Sequence, residues 1–111
     1  MLNKQQRTME EYMKAGAGMR LVKTLGVKVV TEVSKVVSSA DADKLMRAMR
    51  KIDEVCSNAE DNMFRDHPEL SNQYLDVFYG SIDGEPRNDV DNSVINMAKE
   101  SANELFERKN N

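Results

Sequence analysis

A chain of 111 residues with 40% apolar and 32% charged side chains and a net charge of −3 has the make-up of one modest globular domain spanning 1–111. No stretch approaches the roughly 20 apolar residues of a membrane-spanning helix, and Met1-Leu2-Asn3-Lys4-Gln5-Gln6-Arg7 leads into no apolar leader. The single cysteine, Cys56, cannot form an intramolecular disulfide, so a reducing, cytoplasmic setting without membrane association is expected.

Residues 3–15 are predicted as a first helix with Met9, Tyr12 and Met13 on one side. Gly16-Ala17-Gly18 then predicts a break or kink, since a glycine costs about 1 kcal/mol in a helix relative to alanine. Small residues there would also permit a close helix–helix approach. Residues 19–37 are predicted as the second helix. Leu21, Val22, Leu25, Val29, Val30, Val33, Val36 and Val37 fall on one half of its wheel, while Arg20, Lys23, Thr24, Lys28, Thr31 and Lys35 fall on the other. Valines at alternate positions also suit a strand, but no second segment offers such a strand a partner.

Ser38 with Asp41 three residues on resembles a capping box, and residues 41–64 are predicted as the third helix. Its stripe of Leu45, Met49, Ile52, Cys56, Ala59 and Met63 alternates spacings of four and three, a heptad-like seam. Asp66-His67-Pro68-Glu69 reads as another helix start, giving a helix over 67–79 that Gly80 terminates. A polar loop over 81–88 leads to a last helix over 90–108, burying Val94, Ile95, Ala98, Ala102, Leu105 and Phe106. The expected fold is all-α, a compact bundle of four to five helices. The 19–37 and 41–64 stripes form its core, closed by the two C-terminal helices. Eight methionines beside no tryptophan suit a core of adaptable side chains.

Residues that could carry chemistry are scarce. Cys56 lies within the apolar stripe, where burial raises a thiol's pKa instead of activating it. His67 stands at a helix start beside Pro68, and a dyad with Cys56 would require an exposed thiol. Zinc needs more Cys or His ligands, and no Glu-x-x-His pair supports a di-iron site. The acidic loop Asp83 to Asp91 lacks the EF-hand spacing, and Gly16-Ala17-Gly18 is no phosphate-cradling motif. No enzyme, metal or cofactor is expected.

Charge is distributed unevenly. Residues 1–52 hold eleven Lys and Arg against five Asp and Glu, a net of +6, whereas residues 53–111 hold five against fourteen, a net of −9. Arg20, Lys23, Lys28 and Lys35, with Arg47 and Lys51, are candidates for phosphate contact in a nucleic-acid-binding role. That face carries no aromatic or amide reader of bases, and the acidic pI of about 5.2 runs against it. Asp53, Glu54, Glu60 and Asp61 are candidates for an acidic surface offered to a basic protein partner, as a small inhibitor of the mobile-element type would do. The leading expectation is a non-enzymatic, regulatory protein-binding protein that self-associates as a homodimer. Its two long stripes hold more apolar surface than two short helices cover, and its charged halves are complementary.

Overall fold

The computed structural model describes residues 1–107. Among them are three α-helices, α1 (Met9–Val33), α2 (Ser39–Asp66) and α3 (Asp89–Phe106), and one 3₁₀ turn over Asn72–Tyr74. The helical class agrees with the sequence reading, but the helix count falls short of four to five.

The difference begins at Gly16-Ala17-Gly18, which α1 crosses without a break. Thr8 caps α1 by accepting from the Glu11 backbone N–H at 3.2 Å. No proline interrupts the following 25 residues. The small residues are used for close packing: a Cβ at Gly16 would stand 2.5 Å from the carbonyl oxygen of Val77, and Ala17 is fully buried. The helices expected over 3–15 and 19–37 are therefore one. Residues 3–7 form a turn instead, in which Asn3 and Gln6 exchange side-chain and backbone bonds. Beyond Ser34 the chain turns, so Lys35, Val36 and Val37 lie outside the helix.

Ser38 caps α2 as expected, accepting from the Asp41 N–H at 3.1 Å. Asp66 is the last residue of α2 and not the cap of a new helix. Its carboxylate accepts from Arg7 Nε at 2.6 Å, Arg7 Nη2 at 3.0 Å and the Tyr12 hydroxyl at 2.5 Å, and so anchors the N-terminal arm. The helix expected over 67–79 is thus corrected to turns around Asn72–Tyr74. Asp66 is taken by Arg7 and Tyr12, and α2 runs through it to its cap at His67, so it does not cap a new helix. Asn88 caps α3, accepting from the Asp91 N–H at 2.8 Å, close to the predicted start at 90. Its expected end at 108 lies outside the described residues.

α1 packs against both α2 and α3, whose backbones do not approach each other. Residues 76–81 lie over the first half of α1, where Val77 and Phe78 join Tyr12, Ala17, Cys56, Met63, Val94 and Ala98 in the core. The core therefore sits at one end of the α1–α2 hairpin. Along the α2 stripe, Met63 and Cys56 are fully buried, whereas Ile52, Met49 and Leu45 are only half-buried. The radius of gyration is 15.9 Å, larger than the about 13 Å of a compact chain of this length. The fold is open, not the compact bundle expected from the stripes.

Candidate functional site

An irregular segment over a core must find partners for its backbone carbonyls. Here three cationic side chains supply them. Arg20, 1% exposed, donates to the carbonyls of Asp76 at 2.5 Å, Ser81 at 2.9 Å and Val77 at 3.2 Å, and pairs with Asp91 Oδ1 at 2.8 Å. Lys23 Nζ donates to the Phe78 carbonyl at 2.7 Å and lies 4.2 Å above the Tyr79 ring. Arg87 donates to the Tyr79 carbonyl and pairs with Asp76 at 2.9 Å. Burial opposes ionisation of Asp91, but the Arg87 N–H and the Arg20 guanidinium outweigh it and hold the carboxyl below its ordinary range. Gly80 completes the junction, because a Cβ there would stand 2.7 Å from Arg87 Nη2 and 2.9 Å from Arg20 Cζ.

This arrangement divides the six basic candidates. Arg20 and Lys23 bind loop carbonyls and are not presented to a phosphate in solvent. Lys28 is exposed beside Glu32 at 3.7 Å, and Lys35 is exposed beyond the end of α1. Arg47 and Lys51 do come together, on one side of α2 with Lys44, although Arg47 and Lys44 each have an acidic neighbour within 4 Å. The four acidic candidates also divide. Asp53 and Glu60 face toward Lys23 and Tyr79, Asp53 at 3.8 Å from Lys23, whereas Glu54 and Asp61 are exposed on the outer side of α2. Burial raises the Glu60 carboxyl, and Asp61 and Asp76 raise it further.

Cys56 is fully buried, and burial raises its thiol despite the opposing charge of Lys23. His67 Nε2 meets the Arg7 carbonyl at 2.9 Å, and its ring stands edge-on to Tyr12. Among the described residues no group of three or more His, Cys, Asp or Glu side chains is placed to hold a metal ion. No helix among them is long and apolar enough to cross a membrane.

The surface that stands out is apolar. Val22 is 46% exposed, Leu25 61% and Val55 51%, with Val27, Val36 and Met46 exposed near them. All but Val55, which neighbours the core residue Cys56, lie on the outer half of the α1–α2 hairpin, away from the core. A cleft of about 370 Å³ runs between the helices there, floored by Val27, Val30, Met46 and Met49. A second cleft lies between Leu25 on α1 and the end of α3, where Leu105 and Phe106 are exposed although the wheel assigned them to the core. The stripes are those read from the sequence, which were expected to hold more apolar surface than two short helices cover. Arg20 was missed as a core residue, although Gly16 and Ala17, one turn earlier on the same side, leave room for a buried side chain. Comparison with protein-family models, curated proteins and solved structures finds no match to this chain.

Proposed function

We propose that this chain is a non-enzymatic, regulatory protein-binding protein that self-associates as a homodimer through the outer half of the α1–α2 hairpin. One observation carries the reading: valine, leucine and methionine side chains on two adjacent helices are left open to solvent at the end of the hairpin farthest from the core. Exposed apolar surface of this kind marks association sites on soluble proteins. The accessible surface of 7902 Å² exceeds by about a quarter the roughly 6,200 Å² expected for a compact monomer of this mass. A standard interface removes about 800 Å² from each partner, so the surplus is large enough to supply one.

Light scattering on the eluting protein tests this from low micromolar to a few hundred micromolar. The expected result is a mass moving toward twice 12.6 kDa as concentration rises. A mass that stays at the single-chain value over the whole range overturns the self-association.

A further inference from the structure

Resting on that reading, we infer that the outer half of the hairpin is half of a four-helix bundle, completed by a second copy whose α2 lies beside α1 around a two-fold axis parallel to the helices. Each arm of the hairpin carries a second apolar row beside the one that faces its neighbour. On α2 the row is Leu45, Ala48, Ile52, Val55 and Ala59, with spacings of three, four, three and four. On α1 it is Val22, Leu25, Val29, Val33 and Val36, the last just past the helix end. At about 100° per residue the helical members of both rows point to the same side of the hairpin, opposite the cleft floored by Val27 and Met46. Heptad-like rows on two antiparallel helices form the seam of a four-helix bundle, which needs a second layer to cover it.

Residues 76–81 bind the opposite side of α1 through Arg20 and Lys23, whereas Ile82 and the end of α3 border this face beside Val22 and Leu25 without covering them, since these stay 46% and 61% exposed. The N-terminal arm reaches it only near Glu11 and Ala15, below the open half. A second copy fits the face by shape and by charge. Gly26 on α1 packs on Met49 of α2, which sets the two helices in register. Counting outward from that contact brings Glu32 level with Asp43 and Lys44. A two-fold axis along the bundle keeps those heights, so Glu32, at the edge of the α1 row, comes beside Lys44 of the second copy, at the edge of the α2 row. The contact forms twice. The small side chains Ala48 and Ala59 let the layers approach closely, and Val22 faces the gap between Ile52 and Val55 of the second copy.

The full-length chain tests the inference through two sets of variants. Val22→Glu and Val55→Glu act at half-exposed positions, so unchanged circular dichroism shows that the monomer fold is intact. Each is expected to raise the dimer Kd by about 100-fold or more, because the two-fold axis repeats every substitution. Glu32→Lys and Lys44→Glu each weaken the homodimer. Mixed together, they pair preferentially with each other, read as a heterodimer peak above the statistical half by native mass spectrometry. Three results overturn the inference: a dimer insensitive to Val22→Glu and Val55→Glu, a dimer broken instead by Phe106→Glu, or statistical mixing of the charge variants. Each of these leaves self-association standing, whereas a monomer at all concentrations removes both.

Discussion

The buried guanidinium of Arg20 gives the sharpest quantitative test of the fold. Arg20→Met keeps most of the stem's packing and removes the group that holds Asp91 and three loop carbonyls. It leaves the Asp91 carboxylate, 3% exposed, with Arg87 as its remaining cation at 3.6 Å. Breaking a buried pair from one side costs about 3–5 kcal/mol, a large part of the about 5–15 kcal/mol that holds a small domain folded. With a urea slope of about 1.5 kcal/mol/M, the unfolding midpoint should fall by about 2–3 M. Urea titrations followed by circular dichroism, at one fixed protomer concentration because association adds stability, measure it. Adding Asp91→Leu should recover part of the loss, since the orphaned charge is then gone. A midpoint within about 0.5 M of the parent protein for Arg20→Met refutes the claim that this network fastens residues 76–81 to α1.

Two glycines two residues apart should respond in opposite directions. Gly18→Ala enters open space within a helix and should stabilise by up to about 1 kcal/mol, whereas Gly16→Ala meets the Val77 backbone and should destabilise by about 1–3 kcal/mol, both read from urea midpoints. Asp66, held well below the usual carboxylate range by hydrogen bonds from Arg7 and then Tyr12, contributes stability that is present above its unfolded pKa and lost as pH falls through the folded value. Asp66→Asn should therefore flatten the loss of stability on acidification below about pH 4, and an unchanged acid limb counts against the clasp. Cys56 should react with a thiol reagent only at the rate of opening or unfolding, and rapid labelling of the native protein would contradict its burial.

The sequence disclosed the helices wherever caps and periodicity agreed. Ser38 with Asp41, and the polar residues before Asp89, marked the starts of α2 and α3 to within two residues. It misled where a local signal had a long-range use. Gly16 and Gly18 read as a break because propensity is a local quantity, whereas Gly16 is required by Val77, 61 residues later. Asp66 with Pro68 and Glu69 read as a helix start, but the Asp66 carboxylate is engaged by Arg7 from the far end of the chain. Arg20 sat on the charged half of the wheel with Lys23 and Lys28, and charge alone did not separate Arg20 and Lys23, which bind carbonyls, from Lys28 in water. The apolar rows themselves were legible. That they would be covered on one side only was not, because coverage depends on the residues between α2 and α3, which do not form the expected helix.

Because the backbones of α2 and α3 do not approach each other, the molecule has two helix interfaces on one shared strut, joined otherwise only by the segment carrying Val77 and Phe78. Substitutions in the outer half of α2 and in α3 share no contacts, so their effects on unfolding should sum. The strut is also unequally loaded along its length. Its first half is clamped by the core and the loop, while its second half is held only by α2 and the tip of α3, so amide hydrogens beyond Lys23 are the ones that exchange through small local openings. Anything that docks on the open rows would therefore be registered first as slowed exchange in the last turns of α1, well away from the buried arginine.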